Sequence, residues 1–384
     1  MSDRAARGAI GFHEALIDLE AITSNVRALR ERFGTEHFIA VVKANAYGHG
    51  AVPVARAALA GGADWLGVAV IEEALELRAA GIDAPIVAWL HDPDERFDAA
   101  VAAGVSIGVS TLEQLRAVAE AAGRAAAQAS VQFKLDTGLS RNGLQRADWN
   151  AAFELAAGFE QTAQLRVDGV FTHLSNATLQ DDVDCLDLFD EGVAAARAAG
   201  LAPGLVHAAA SAAALRQPDA RYNCVRVGLA LYGLAPTQDP RQARELGLRP
   251  AMTVQGRIAN VKRVPAGTSV SYDYTYTTDR ETTLALVPFG YGDGIPRAAS
   301  NRARVWLGGG VHRIAGRVAM DQFVVDVGDT PVAVGDPVVL FGDGGEGFPT
   351  AEDWAEASAT INWEIVTRIG GRTTRRYVRG DADA

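Results

Sequence analysis

Lys43 is the residue of this chain whose position most favours chemistry. It follows the apolar run Phe38–Val42 and precedes a turn that contains Gly48 and Gly50. Such a run predicts a buried strand, so Lys43 is expected at a strand end, partly removed from water. Burial lowers the pKa of a lysine, which suits an amine that attacks a carbonyl group. A lysine that extends past the strand end to solvent is the alternative that Lys43 alone leaves open.

The elements that would position Lys43 alternate regularly along the first two thirds of the chain. Short β-rich runs are separated by amphipathic segments such as Ile71–Ala80, Leu112–Ala122 and Val183–Ala199. The runs are Phe38–Val42, Trp65–Val70, Pro85–Trp89, Val105–Val109, Val131–Leu135, Val167–Phe171, Leu205–His207 and Val225–Leu231. Eight such units predict an α/β TIM (β/α)8 barrel, placed at residues 14–247. Active sites of such barrels form at the C-terminal strand ends, where Lys43 is expected.

The pattern changes after Pro250, where strand-like runs are separated by turns rich in proline and glycine. The runs are Met252–Val264, Thr283–Pro288, Ala303–Leu307, Val311–Val318, Phe323–Val327 and Pro337–Phe341. They predict a mostly β domain over residues 248–384, ending in a short helix near Ala351–Ala357 and a polar tail. Glycine clusters such as Gly308–Gly310 fit hairpin turns better than a phosphate loop, because none opens a helix directly after a strand.

The bulk composition narrows the class of protein. The chain has 384 residues and is 48% hydrophobic, which is enough for a large core and favours two domains. Its net charge is −11, so nucleic acid and acidic membranes are disfavoured and a small-molecule substrate is favoured. The N-terminus lacks the apolar segment of a secretory signal and no run has the length of a membrane span, which predicts a cytoplasmic protein.

Cysteine and histidine spacing predicts neither a disulfide nor a metal site. Cys185 and Cys224 are far apart in sequence, so two reduced thiols are expected. His49, His91 and His312 lack the spacing of metal ligands.

The segment Ala40–Gly50 resembles the cofactor-lysine motif of the alanine racemases, fold-type III enzymes that depend on pyridoxal 5'-phosphate (PLP). Further motifs of that family follow in order and span both halves of the chain. They are Lys134–Gly143, Phe171–Leu174, Val225–Gly233, Val270–Tyr272, Gly290–Gly294 and Gly316–Gln322. The resemblance implies the same TIM barrel, with residues 1–13 joining the β domain.

The resemblance implies two catalytic bases on opposite faces of the substrate Cα. Lys43 anchors PLP and acts on D-alanine, and Tyr272 from the partner subunit of a homodimer acts on L-alanine. A hydrogen-bond relay from Tyr272 through His173 to Arg226 stabilises the tyrosine anion. Arg226 also faces the pyridine nitrogen of PLP. Because arginine keeps its proton, the ring stays a weak electron sink, which argues against decarboxylase and aminotransferase chemistry.

The same resemblance assigns the phosphate of PLP to the hydroxyls of Tyr47 and Ser211 and to the backbone N–H groups of Gly228 and Leu229. From the residue alone, Ser211 fits a helix N-cap equally well.

Four further residues take substrate and support roles by resemblance. Arg141 contacts the phenolic oxygen of PLP and the substrate carboxylate, and Lys134 matches a lysine that is often carbamylated to orient that arginine. Met320 and Tyr291 lie near the substrate carboxylate and the entrance channel, from the partner subunit.

Four positions depart from the commonest family pattern. Ala210 stands where an Asn usually precedes Ser211, and Asp273 stands where the family usually has Gly. Ala319 stands in place of a Cys, and Trp363 stands in place of a Tyr that contacts the phosphate. Substrate scope is therefore open: alanine racemisation that supplies D-alanine for peptidoglycan is expected, with serine first among other or broader substrates. L-alanine supply for catabolism is a second possible role. A PLP-binding homeostasis protein is a further alternative, but such proteins resemble the barrel alone.

Overall fold

The computed structural model describes residues 10–345 and 347–378. The chain divides into two compact units. The barrel unit comprises Val26–Asn45 and Ala55–Leu231, and the β unit comprises the described residues before Val26, Ala46–Val54 and those from Tyr232 onward. The first elements along the chain are strand β1 (His13–Asp18) and helix α1 (Leu19–Phe33).

The barrel unit contains eight parallel strands. They are β2 (His37–Val41), β3 (Trp65–Val68), β4 (Ile86–Ala88), β5 (Ser106–Val109), β6 (Ala129–Lys134), β7 (Leu165–Phe171), β8 (Leu205–His207) and β9 (Cys224–Val227). The sheet order is β8-β7-β6-β5-β4-β3-β2-β9, and a single bridge from Ala210 to Arg226 links its two edges. The ring is thus nearly closed, which confirms the predicted (β/α)8 barrel.

Helical segments connect these strands. They are α2 (Lys43–Tyr47), α3 (Ala51–Ala60), α4 (Ile71–Ala79), α5 (Asp98–Ala102), α6 (Leu112–Ala125), α7 (Trp149–Gln161), α8 (Leu179–Ala198) and α9 (Ser211–Arg216). Local capping explains several starts: the hydroxyl of Thr111 accepts a hydrogen bond from the N–H of Gln114, and Thr178 caps α8 in the same way. The predicted eighth strand is shorter than expected, because Leu229–Tyr232 turns into a 3-10 helix.

The barrel unit contains an apolar core cluster. Ile39, Val87, Leu205 and Cys224 are buried together, and Trp65 and Trp89 pack against them. Cys185 and Cys224 are both buried free thiols.

The β unit is mostly strand, as predicted. Its further strands are β10 (Met252–Arg257), β11 (Asn260–Val264), β12 (Ser269–Val270), β13 (Tyr276–Thr277), β14 (Thr282–Val287), β15 (Arg304–Leu307), β16 (Gly310–Ala315), β17 (Phe323–Gly328), β18 (Pro337–Phe341) and β19 (Thr374–Val378). Its helices are α10 (Pro240–Glu245), α11 (Ala351–Ser358) and α12 (Asn362–Arg368). Nine of the strands form one sheet in the order β11-β14-β17-β16-β15-β18-β10-β1-β19, and β12 pairs with β13.

Two predictions for the β unit are wrong in detail. The predicted run Met252–Val264 is two strands, β10 and β11, which occupy different places in the sheet. The predicted polar tail contains β19, which pairs in parallel with β1. An edge strand whose residues are only partly buried carries little apolar pattern, so its pairing with a segment at the other chain end leaves no local signal.

The domain boundaries at residues 14 and 248 stay predictions. Strand β1 pairs with β10 and β19 of the large sheet, which supports extending the N-terminal part of the β domain to Asp18. Residues 1–9 of the segment assigned to that domain lie outside the described residues. Within the described part of the chain, no helix combines the length and the apolar character needed to cross a membrane.

Candidate active site

The backbone after Lys43 adopts an uncommon conformation. From Ala44 to Tyr47 the φ angles lie between 50° and 53°, so α2 is a left-handed turn. Left-handed geometry costs about 1–2 kcal/mol at each residue other than glycine. The carboxylate of Glu73 helps to hold this turn, because it accepts hydrogen bonds from the N–H groups of Ala44 at 2.6 Å and Ala69 at 2.8 Å. Lys43 therefore starts from a fixed backbone.

Lys43 is partly buried among aromatic and cationic groups. Its Nζ atom lies 5.8 Å from the centre of the Trp89 ring. Burial lowers the pKa of Lys43, and the guanidinium of Arg141 lowers it further, against an opposing effect of Glu73. A larger fraction of the side chain is therefore the neutral amine, the form that attacks a carbonyl carbon.

Arg226 is buried in β9 and donates several hydrogen bonds. Its Nη1 reaches the Nδ1 atom and carbonyl oxygen of His207 at 2.7 and 3.0 Å. Its Nη2 reaches the carbonyl oxygens of Thr172 and Ala208 at 2.6 and 2.9 Å, and Nδ1 of His173 at 3.2 Å. Burial lowers the pKa of Arg226 to about 10, so the guanidinium stays charged at neutral pH. All of these bonds are made by Nη1 and Nη2, so the Nε–H takes part in none of them.

His173 is surrounded by positive charge. Burial, followed by the charges of Arg226, Arg141, Lys134 and Lys43, lowers the pKa of His173 to about 3. The imidazole is therefore neutral near pH 7. Because Nδ1 accepts from Arg226, the ring proton must lie on Nε2.

Lys134 lies at the end of β6 and is also desolvated. Burial lowers its pKa to about 8, and Arg141 is the largest charge that lowers it further. Arg141 itself lies exposed in the loop after β6. The structure thus brings five basic side chains into one cluster near the strand ends: Lys43, Lys134, Arg141, His173 and Arg226.

Ser211 begins α9 and faces the turn after β9. The N–H groups of Gly228 and Ala230 lie 3.3 and 3.4 Å from its Oγ, with Leu229 between them. The N-cap of α9 is Ala210, so the alternative prediction that Ser211 caps the helix is wrong. In the β unit, burial raises the pKa of Tyr47 to about 12, and its ring packs 4.9 Å from that of Tyr232.

Tyr272 lies on an exposed segment of the β unit with a strained backbone. Its side chain is 69% exposed, and Ser271, Asp273 and Tyr274 all have positive φ. Asp273 has φ 60°, a conformation that glycine adopts freely, which explains why the commoner family residue there is glycine. The guanidinium of Arg317 contacts the Asp273 carboxylate at 3.3 Å.

Tyr291 and Met320 are brought together by backbone hydrogen bonds. The N–H of Tyr291 donates to the Ala319 carbonyl at 3.0 Å, and that of Gly292 donates to the Met320 carbonyl at 2.8 Å. Both side chains are exposed. Trp363 lies in α12 and is partly buried.

Sequence reasoning missed several polar residues near the cluster, among them Glu73, Gln132 and His207. Gln132 and His207 are buried within the apolar strands β6 and β8. A polar side chain in such a strand is itself informative, because an interior polar group requires a partner. That signal was available in the sequence. Among the described residues, no three histidine, cysteine or acidic side chains are grouped to hold a metal ion.

The fold and site define a class of enzyme: a parallel barrel that presents a desolvated lysine at a strand end, followed by a mostly β domain. A family model described as the alanine racemase N-terminal domain matches residues 17–236, and the model of the alanine racemase C-terminal domain matches residues 251–377. The chain belongs to the alanine racemase family, whose members are isomerases.

Individual relatives agree with this membership over nearly the whole chain. Alanine racemase of Thermobifida fusca is 52% identical over 369 residues, which cover 95% of this chain and 98% of the relative. A crystal structure of alanine racemase from D-cycloserine-producing Streptomyces lavendulae has a TM-score of 0.94 at 48% identity, covering 96% of this chain and 98% of the other. The structure of alanine racemase from Streptomyces coelicolor A3(2) has a TM-score of 0.93 at 47% identity, and the match covers 98% of this chain and 100% of the other.

Proposed function

We propose that the protein interconverts L-alanine and D-alanine with PLP as its cofactor, in a homodimer whose active sites combine residues of both subunits. One observation carries the proposal: in a chain of this family, the strand ends bring together Lys43, His173 and Arg226. The product D-alanine would supply peptidoglycan synthesis.

The residues present fit PLP. Lys43 offers an amine of lowered pKa to the aldehyde carbon. Arg226 keeps a charged guanidinium for the ring nitrogen, with its Nε–H outside the bonds described above. The phosphate group would bind to the hydroxyls of Ser211 and Tyr47 and to the N–H groups of Gly228 and Leu229.

Lys43 and Tyr272 would move the proton of the substrate. Bound PLP withdraws electrons from the substrate Cα and so makes its proton more acidic. In one direction the Lys43 amine would take a proton on one face while the Tyr272 hydroxyl gives one on the other; in the reverse direction the Tyr272 phenolate would take a proton while the Lys43 ammonium gives one. Each conversion replaces the proton on one face of Cα by a proton on the other face. The configuration of the substrate is therefore inverted while its composition stays the same.

His173 would stabilise the anion of Tyr272. A tyrosine with an ordinary pKa near 10 is a poor base unless its anion accepts a hydrogen bond. The neutral His173 ring accepts from Arg226 at Nδ1 and can only donate from Nε2, which is the polarity that a phenolate requires.

The substrate carboxylate would bind to Arg141, with Met320 and Tyr291 of the partner subunit nearby. Lys134 would be carbamylated: its lowered pKa, about 8, leaves more of the neutral amine that reacts with carbon dioxide, and the product anion would orient Arg141. Serine and other amino acids remain candidate substrates, since four positions depart from the commonest family pattern: Ala210, Asp273, Ala319 and Trp363. Racemisation assays with serine, lysine and arginine define the scope.

The decisive comparison is Tyr272→Phe against Tyr274→Phe. Both tyrosines are exposed on the same short segment, at 69% and 71%. Removing the Tyr272 hydroxyl should lower racemisation of alanine by about 10²–10⁴-fold, whereas Tyr274→Phe should keep nearly wild-type rates. Circular dichroism follows the loss of optical activity, and Cα deuterium exchange in heavy water reports each proton step. Near-normal turnover of Tyr272→Phe in both directions would contradict the assignment.

The cofactor lysine can be mapped directly. The chain has only three lysines, Lys43, Lys134 and Lys262, so borohydride reduction of the PLP-loaded protein followed by peptide mass analysis has three possible outcomes besides the N-terminus. We expect the label on Lys43. A yellow, labelled protein that exchanges no Cα proton would instead support the PLP homeostasis alternative.

A further inference from the structure

A row of buried polar side chains runs through the barrel away from Arg226. The Nε2 atom of His207 lies 2.8 Å from Oε1 of Gln132, and Nε2 of Gln132 lies 3.3 Å from Oγ of Ser106. Ser106 in turn donates to Oδ2 of Asp168 at 2.9 Å. His207, Gln132 and Ser106 are at most 2% exposed. The row starts from the last residue of β8 and reaches Ser106, the first residue of β5.

The two ends of this row fix the direction of every hydrogen bond in it. Arg226 can only donate, and the carboxylate of Asp168 can only accept. Ser106 therefore gives its proton to Asp168 and accepts from the Gln132 amide. The oxygen of Gln132 must then face His207, so His207 donates from Nε2 and accepts from Arg226 at Nδ1. Arg226 at one end and Asp168 at the other thus require the same donor-to-acceptor direction along the row.

The surroundings keep the row in place. Arg166 pairs with Asp168 at 2.7 Å and also donates to Ser130. The His207 ring stacks on Phe171 at 5.0 Å with an interplanar angle of 3°. Burial and the charge of Arg226 hold the pKa of His207 well below its ordinary value, so the ring is neutral.

We propose that Gln132, Ser106 and Asp168 are positioning residues for Arg226, which lock His207 in its Nε2–H tautomer and so hold the guanidinium in one orientation. In the other tautomer, an N–H of His207 would face an N–H of Arg226, and two buried donors would lack acceptors. The tautomer of His207 is determined by hydrogen bonds within the protein and does not depend on the cofactor. The effect on catalysis rests on the proposed function, because there Arg226 contacts the cofactor.

The test removes the acceptor of His207 and follows its tautomer by 15N NMR in cofactor-free protein labelled at its seven histidines. We expect wild-type His207, assigned from the spectrum of His207→Asn, to carry its proton on Nε2. Gln132→Met leaves the Nε2–H without an acceptor, so we expect a mixture with the Nδ1–H form, in which Arg226 no longer donates to Nδ1. Gln132→Glu keeps an acceptor and should keep the Nε2–H tautomer. Gln255→Met removes a buried glutamine of the β unit and is the matched control, with no change at His207.

The second readout is steady-state kinetics of the PLP-loaded enzyme. Gln132→Met should lower kcat by about 10–100-fold with little change in KM, and Gln132→Glu should restore most of it. If Gln132→Met does not fold, Ser106→Ala should produce the same changes, smaller in size. A wild-type Nδ1–H tautomer, an unchanged tautomer in the variants, or a wild-type kcat without the acceptor would overturn the proposal. If the wild-type enzyme does not racemise alanine, the proposed function fails and the NMR result alone decides the tautomer lock.

Discussion

At the residue scale, the site depends on bases whose pKa values are lowered by burial. Lys43, Lys134 and His173 share a cluster with two arginines, and burial is the largest cause of the lowered pKa at each of the three. A lowered pKa increases the neutral fraction of each base, and the neutral form is the one that accepts protons and hydrogen bonds. Burying a titratable group in its neutral form also makes the stability of the fold depend on pH.

His49 of the β unit allows that dependence to be measured at a buried group outside the cluster. Its ring is 1% exposed, and burial lowers its pKa to about 4 from 6.5. The unfolded chain therefore binds the proton first as pH falls, and stability is lost between pH 6.5 and 4. In His49→Asn the drop in unfolding free energy from pH 7 to pH 4.5 should shrink by about 2–3 kcal/mol. Urea unfolding of the cofactor-free protein measures it, and equal drops in both proteins would refute the prediction.

At the element scale, strand ends and one unusual turn position the chemistry. The apolar run before Lys43 predicts β2 to within one residue, and the strand-end positions of His173 and Arg226 follow in the same way. The left-handed turn Ala44–Tyr47 has no such signal, since alanine is a poor left-handed residue. It is held by tertiary hydrogen bonds such as that from Ala44 to Glu73.

Two alanine-to-glycine substitutions should therefore have opposite effects. Ala44→Gly relieves a positive φ of 52° and should stabilise the fold by about 0.4–1 kcal/mol. Ala194→Gly, at an exposed position inside the right-handed helix α8, should destabilise it by about 1 kcal/mol. Chemical denaturation of both variants measures the two signs. Destabilisation by Ala44→Gly would mean that the turn is not strained.

At the scale of the whole molecule, exposed apolar residues of the β unit support the proposed dimer. Tyr272, Tyr274, Tyr291 and Met320 are between 43% and 71% exposed. Tyr272 and Tyr274 lie on one short segment, and backbone hydrogen bonds bring Tyr291 and Met320 together; exposed apolar groups of this kind are typical of contact sites. Three of the four are residues assigned to the active site of a partner subunit.

Mixing two inactive variants tests the shared site. If Lys43 and Tyr272 act across the dimer, each mixed dimer of Lys43→Ala and Tyr272→Phe contains one intact site and one doubly altered site. Random reassociation should then recover about one quarter of wild-type activity. Light scattering gives the mass of each species, and unmixed variants serve as controls. No recovery from dimers shown to have exchanged subunits would place both residues in one chain.

The sequence was sufficient to predict the barrel, the β domain and all five residues of the cluster. These features depend on the local alternation of apolar residues and on short motifs, both of which can be recognised in the sequence alone. It was insufficient for β19, whose partner β1 lies at the other end of the chain, and for the broken strand Met252–Val264. It also left Ser211 open between an N-cap and a phosphate ligand, and the structure excludes the N-cap.

By itself the sequence determined which side chains are available and the order in which strands deliver them. Only the tertiary structure decided their protonation and orientation. The low pKa of His173 results from burial and from four basic side chains of separate strands and loops, and the hydrogen bonds of His207 join Arg226 to Gln132, which is 75 residues away. Hydrogen-bond direction and desolvation are properties of groups brought together by barrel closure, so no local pattern of residues can encode them.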